Sequence, residues 1–303
     1  MVPSETRLAI KIDVDTDRGT RLGVPALLDL FDEFGIKATF LFSLGPDNTG
    51  RAIKRIFRPG FFRKVARTSV VSTYGLRTLL NGVLWPGPHI GRRNEAILRM
   101  TRARGHEVGI HCYDHIRWQD GLARMTREQV FAEFGKARAE FRRIFGEDAR
   151  TAGAAGWQAN AHSLAAYDDA GLDYASDARG THPFFPVADG SVYKTLQIPT
   201  TLPTLDELLG RPEYPKADLA NHYLSLLRPE QDNVLTAHAE IEGMAELEWF
   251  RGFLRLAGER QARFVRLDAM AAALRHNPRA VPSCRLVAGE VDGRSGTLAV
   301  QRC

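Results

Sequence analysis

Two histidines stand four residues apart in the stretch Glu107 to His115, which reads EVGIHCYDH. On one helical turn such a pair shares a face, with both rings able to reach a single ion. Neutral imidazole is a common zinc ligand. The spacing by itself fits a surface turn or a hydrogen-bonded core histidine as well. Near the N-terminus the apolar run LAIKIDV ends in Asp13-Val14-Asp15. Two further runs end in polar residues, Ser176-Asp177-Ala178-Arg179 and Thr236-Ala237-His238-Ala239-Glu240. A lone histidine such as His238 is more often packed and hydrogen-bonded than catalytic, and Asp177 reads equally as a helix cap. As a set, these carboxylates and histidines match one metal site plus one acid–base pair.

Asp15, His111 and His115 would supply a carboxylate and two imidazoles. Three ligands leave a position open for water, as catalytic zinc sites require. A bound metal lowers the pKa of water from about 15.7 to roughly 7 and polarises a carbonyl oxygen. Asp13 is then the candidate acceptor of the water's proton, and His238 the candidate donor to a leaving amine. A zinc peptidase is not indicated, because no glutamate follows His111 as in HExxH. Cys112 would point about 100° away from His111 on a helical turn and is not expected to be a ligand.

Such a constellation needs elements that bring distant residues to one rim. Short β-rich runs alternate with helical ones. Strands are expected at Leu8 to Val14, Ala38 to Leu44, His106 to Ile110, Thr151 to Ala155, Tyr174 to Asp177, Thr195 to Ile198, Val234 to His238 and Arg263 to Leu267. Pro25 suits a first helical turn. Thr126 with Gln129 suggests a capping box, opening a helix that runs to Phe145 before Gly146. Strands alternating with helices imply a parallel sheet. About seven such units favour a distorted (β/α) barrel, whose active site gathers at the C-terminal ends of the strands.

The chain has 303 residues, 44% hydrophobic and 25% charged, which excludes disordered and collagen-like classes. Its three cysteines, Cys112, Cys284 and Cys303, are odd in number and widely spaced. That argues against a disulfide framework and for a reducing compartment. No secretory signal and no window of about 20 apolar residues is evident. The net charge of +5 is unevenly placed. Between Asp47 and Glu95 there is no acidic residue, while Arg51, Lys54, Arg55, Arg58, Arg63, Lys64, Arg67, Arg77, Arg92 and Arg93 all fall there. The rest of the chain is therefore net acidic. Arg51, Lys54, Arg55 and Arg58 share one helical face, with Ile53, Ile56 and Phe57 on the other. Phe61 and Phe62 begin a second such stretch, and Trp85 closes a later apolar run. Tryptophan favours the membrane interface. Basic residues near an anionic leaflet contribute about 1 kcal/mol each. Ile53, Ile56, Phe57, Phe61, Phe62 and Trp85 are thus the expected membrane-facing residues. The expected organisation is a barrel over 1–282, including a basic amphipathic insertion at 48–94, and a loosely attached extension at 283–303.

Asp-x-Asp after the first strand, His-x3-His after a later one and the late Leu235-Thr236-Ala237-His238 resemble the NodB-type polysaccharide deacetylases. The resemblance is closer to the branch that deformylates 4-deoxy-4-formamido-L-arabinose on undecaprenyl phosphate. That branch is suggested by IDVDTDRGTRLGVP (Ile12 to Pro25), SLGPDNTGR (Ser43 to Arg51), AAGWQAN (Ala154 to Asn160), SDARG (Ser176 to Gly180), QIPTTLPTLDE (Gln197 to Glu207) and HAEIEG (His238 to Gly243). The resemblance implies a distorted barrel that hydrolyses N-acyl groups from sugars with one divalent metal. Zinc is expected first, and cobalt or manganese could use the same ligands. It implies Asp13 as base, Asp15, His111 and His115 as metal ligands, and His238 as general acid. Trp157, Asp177, Arg179 and Glu240 are expected to bind substrate or support the site. The broad family's Arg-x-Pro-aromatic motif, whose arginine steadies the base, is here Ala154-Ala155-Gly156-Trp157. Arg179 is the candidate replacement.

The implied activity is removal of formyl from the lipid-linked aminosugar for lipid A modification and polymyxin resistance. The implied location is the cytoplasmic face of the bacterial inner membrane, with no nucleic-acid partner. Two rivals are an N-deacetylase of a polysaccharide or other aminosugar, and a non-catalytic module that binds anionic lipid. A soluble glycan needs no basic segment, and a decayed barrel would be expected to have lost Asp13 or a metal ligand.

Overall fold

The computed structural model describes residues 6–52, 81–83 and 85–303. Its parallel sheet is built from β1 (Arg7–Val14), β2 (Thr39–Ser43), β3 (Glu107–Cys112), β4 (Thr151–Ala152) and β5 (Tyr174–Ala175). After the hairpin strands β6 (Phe185–Ala188) and β7 (Ser191–Val192) come β8 (Leu196–Gln197), β9 (Asp232–His238) and β10 (Arg263–Val265). The order is β8-β5-β4-β3-β2-β1-β9, and β10 adds an eighth strand beside the start of β1. The backbone N–H groups of Thr201 and Leu202, just past β8, donate to Val234 O of β9 at 3.1 and 3.1 Å. The two ends of the sheet thus meet in a distorted barrel, as expected.

Residue alternation along β1 explains what the barrel holds. Leu8, Ile10, Ile12 and Val14 point outward into the main core, shared with Leu27, Phe31 and Phe250 of the surrounding helices. Each such buried side chain contributes roughly 1.5–3 kcal/mol relative to exposure. Ala9, Lys11 and Asp13 point inward. At the N-terminal end of the interior, Ala9 packs with Tyr174, Leu196 and Val234 against Leu267, Met270 and Ala271 of the helix Leu267–Arg275. The polar side chains are left at the other end.

Several local expectations are met. The helix Val24–Glu33 carries Pro25 in its first turn. The helix Arg127–Phe145 has the Thr126–Gln129 capping box and ends at Gly146 in a left-handed conformation, φ 76°. The expected strands at Thr151 and Tyr174 are shorter than their apolar runs.

The C-terminal segment is not loosely attached. β11 (Ser283–Gly289) and β12 (Leu298–Arg302) form an antiparallel pair, and β11 runs parallel to β6 in a second, four-stranded sheet. Alternate residues Cys284 and Leu286 enter a small core with Leu164, Ala178 and Phe184. Cys284 and Cys303 are joined in a disulfide, against the reading from cysteine count, and Cys112 is a buried free thiol. Strand pairing brings two distant cysteines to the open end of one hairpin, which their spacing does not reveal.

Ile53, Ile56, Phe57, Phe61 and Phe62 lie outside the described residues. The flanks of the basic segment meet, Gly50 N donating to Asn81 O at 2.9 Å. Val83 and Trp85 there are 51% and 49% exposed. Among the described residues no helix is long and apolar enough to cross a membrane.

Candidate active site

Asp13 and His238 are register partners in the parallel pair β1–β9, so the strand alternation that turns one inward turns the other inward too. His111 occupies the C-terminal end of β3. His115 opens the helix His115–Gly121, whose N-cap Asp114 accepts from Arg117 N at 3.0 Å. The two histidines therefore do not share a helical turn. A strand end and a helix start, joined by a short turn, bring their ring centroids to 5.3 Å. Asn48 fastens that turn by donating to Asp114 Oδ2 at 2.6 Å. Cys112 lies on the opposite face of β3 from His111, with its sulfur 3.2 Å from the Ser43 hydroxyl. Burial pushes that thiol well above its ordinary pKa.

Asp15 Oδ1 lies 3.2 Å from His111 Nε2 and 3.4 Å from His115 Nε2. One ligand atom from each of the three residues falls within 4.8 Å of the others, so the cluster could hold a metal ion. Asp15 Oδ1 is buried and has no hydrogen-bond partner. Burial alone would raise the Asp15 carboxyl, but His115 and His111 outweigh it and hold it well below the usual range. Burial opposes protonation of His111, and Asp13 with Asp15 reverses that and raises its pKa. One carboxylate and two imidazoles, with an orphaned oxygen between them, fit a divalent cation.

The loop carrying Asp15 is held by Glu240. Its Oε1 accepts from Asp15 N (3.1 Å), Thr16 N (2.9 Å) and the Thr16 hydroxyl (2.7 Å). A Cβ at Gly19 would fall 1.9 Å from that oxygen, which explains the glycine. Burial, then the charge of Asp15, pushes Glu240 up to about 8. Glu242 accepts from His238 N at 2.8 Å and is raised by burial to about 8. His238 Nδ1 and Asp13 Oδ1 are buried without hydrogen-bond partners.

Trp157 is only 1% exposed, so in this structure it is part of the wall. It follows Gly156 in a kink where both residues have positive φ, 53° for the tryptophan. Its indole N–H donates to the Thr200 hydroxyl at 3.2 Å, and its ring meets His238 edge-on at 6.3 Å. Arg294, from the turn between β11 and β12, covers the ring at 4.3 Å and donates to Glu207 Oε1 at 2.9 Å. Asp177 receives Ala154 N at 2.6 Å and Gln197 Nε2 at 2.9 Å, while burial raises it to about 6.

Arg179 does not reach Asp13. It donates to Glu207 Oε1 at 2.5 Å and to Leu202 O at 2.9 Å. The cation beside Asp13 is Lys11, 3.5 Å away and fully buried. Sequence reading passed over Lys11, although a lysine inside an otherwise apolar strand, two residues before Asp13, was a visible signal. Thr16, Glu242, Glu207 and Arg294 were also missed. Trp118 is core, with its N–H donating to Gln158 O at 3.0 Å.

This barrel rim and the matching of residues 11–175 to the polysaccharide deacetylase family model place the chain in that family of amide hydrolases. A Shewanella sediminis (strain HAW-EB3) protein named "Probable 4-deoxy-4-formamido-L-arabinose-phosphoundecaprenol deformylase ArnD" is 37% identical over 98% of this chain and 95% of its own length. The Wigglesworthia glossinidia brevipalpis protein of the same name is 32% identical over 94% of this chain and 98% of its own. Among solved structures, the "Crystal structure of putative polysaccharide deacetylase from Mycobacterium smegmatis" superposes with TM-score 0.65 at 15% identity, covering 96% of this chain and 97% of that one.

Proposed function

We propose that the protein hydrolyses the N-formyl group of 4-deoxy-4-formamido-L-arabinose carried on undecaprenyl phosphate, using one divalent metal ion. The observation that carries this reading is the convergence of Asp15, His111 and His115 beside the Asp13–His238 pair. The relatives' name supplies the substrate class. Products would be formate and the free aminosugar lipid, which serves lipid A modification and polymyxin resistance.

Asp15 Oδ1, His111 Nε2 and His115 Nε2 would hold the ion, zinc first, with cobalt or manganese as alternatives. When bound, the ion acidifies water and polarises the amide carbonyl. Asp13 accepts the proton of the attacking water at Oδ1, the oxygen without a hydrogen-bond partner. His238, on the neighbouring strand, delivers a proton to the departing nitrogen. Glu240 keeps the Asp15 loop in place, and Glu242 does the same for the His238 backbone. Trp157 and Arg294 wall the side on which His238 stands.

The substrate's polyprenyl chain stays in the bilayer, so the rim must come to the membrane. The acid-free basic segment supports a peripheral position on the anionic cytoplasmic face of the inner membrane. Exposed Val83 and Trp85 at its described end fit that placement.

The test offers the purified, metal-loaded protein formylated and acetylated versions of the lipid-linked aminosugar, followed by mass spectrometry. Conversion of the formylated lipid to the free amine, with the acetylated one left behind, supports the reading. Preference for the acetylated compound would make the protein a deacetylase.

A further inference from the structure

We propose that Lys11 is the residue that positions Asp13 for proton transfer, the task an arginine performs elsewhere in the family. The proposal rests on the reading of Asp13 as the base. Lys11 and Asp13 are two apart on β1, so both project into the barrel interior. Lys11 Nζ lies 3.5 Å from Asp13 Oδ2 and donates to Ser176 O, just past β5, at 3.1 Å. It also stands 5.3 Å from the centre of the Trp157 ring. The ammonium is thereby held from three directions with no exposure to solvent.

Neighbouring residues leave this position to Lys11. Ala154 and Ala155 occupy the arginine motif's place and carry only methyl groups. Arg179 is taken up by Glu207 and Leu202 O. A Cβ at Gly153 would fall 2.3 Å from Leu41 Cδ1 and 3.1 Å from Ser176 O, the carbonyl that accepts from Lys11 Nζ. Among the described residues, Lys11 is the one lysine or arginine paired with Asp13.

The pairing also distinguishes the two oxygens of Asp13. Oδ2 faces Lys11. Oδ1 has no hydrogen-bond partner and lies 3.8 Å from His111 Nδ1. Anchoring Oδ2 leaves Oδ1, on the side of His111, as the oxygen free to accept a proton. An isolated buried ammonium is costly unless it is paired, so the Lys11–Asp13 contact stabilises both members.

The experiment is a double-mutant cycle on the metal-loaded protein, with kcat, KM and bound metal measured for each variant. Lys11→Met is expected to lower kcat about 10²-fold while KM stays within about threefold and metal content is unchanged. In the Asp13→Asn background the same change is expected to cost nothing further, because there is no longer a carboxylate to position. Losses that multiply, or a Lys11→Met enzyme with near-normal kcat, would overturn the proposal. Should Lys11→Met alone fail to fold, the double variant decides. It has no uncompensated charge, and a rate equal to that of Asp13→Asn supports the proposal while a lower rate overturns it. Retention of full activity by Asp13→Asn itself would instead remove the reading of Asp13 as base.

Discussion

Asp13 and His238 face the same interior from adjacent parallel strands, as register partners of β1 and β9. Parallel neighbours stand about 4.8 Å apart along the hydrogen bonds. The residues proposed as proton acceptor and proton donor are therefore fixed side by side by backbone pairing. Asp13→Asn should keep the metal and lose roughly 10²–10⁴-fold in kcat. His238→Ala should lose less on amides with better leaving groups. Steady-state rates across a leaving-group series check both. A uniform loss for His238→Ala would deny it the donor role.

At the opposite end of the barrel, Glu107 Oε2 accepts from the Thr39 hydroxyl (2.6 Å), the Tyr174 hydroxyl (2.7 Å) and Asp268 N (3.2 Å). Burial, then the charge of Asp268, raises Glu107 to about 7. Its folded pKa therefore exceeds the unfolded value of about 4.3. The stabilisation is complete below that unfolded value and is lost as pH rises through about 7. Glu107→Gln should flatten the fall in thermal stability between mildly acidic and mildly alkaline pH. An unchanged slope in melting experiments would assign the dependence to other groups.

The C-terminal hairpin should be essential to the site wall. Arg294 links Trp157 to Glu207, and Gly293 touches the Glu207 backbone, where a Cβ would come within 2.4 Å of Glu207 O. Ending the chain at residue 282 exposes Ala178 and Phe184, so a lower melting temperature and lost activity are expected. A truncated protein with full activity would return this segment to the status of a loose extension.

The basic segment should carry membrane binding. Replacing Ile56, Phe57, Phe61 and Phe62 with serine is expected to release the protein from anionic liposomes while its metal content stays the same. Cosedimentation measures this. Continued binding of the variant, or indifference of the intact protein to liposomes, would sink the membrane role.

Much of the barrel was legible because its strands are short apolar runs that end in polar residues. LAIKIDV shows the period-two logic directly, with Lys11 and Asp13 turned inward. The Arg127–Phe145 helix was legible from both caps. Strands β4, β5 and β8 span two residues each, too few for any periodicity to define their ends. The hairpin of β11 and β12 alternates buried Cys284 and Leu286 with exposed Ser283 and Arg285, yet Gly289, Gly293 and Gly296, from the end of β11 to the turn before β12, masked it. Of the candidate site, the rim residues were visible as chemical types. The partner of Asp13 was not settled, because Arg179 is diverted by Glu207, a contact set by tertiary packing.

The central claim is that Asp15, His111 and His115 hold one ion on which amide hydrolysis depends. The most direct measurement is formate release from the formylated lipid-linked sugar by metal-stripped protein, titrated with a divalent ion. The account predicts no release without metal, saturation at one equivalent per chain, and none at that ratio for His111→Ala or His115→Ala, whereas Cys112→Ser titrates normally. Full release by the stripped protein, or identical titrations for the intact protein and both histidine variants, would contradict it.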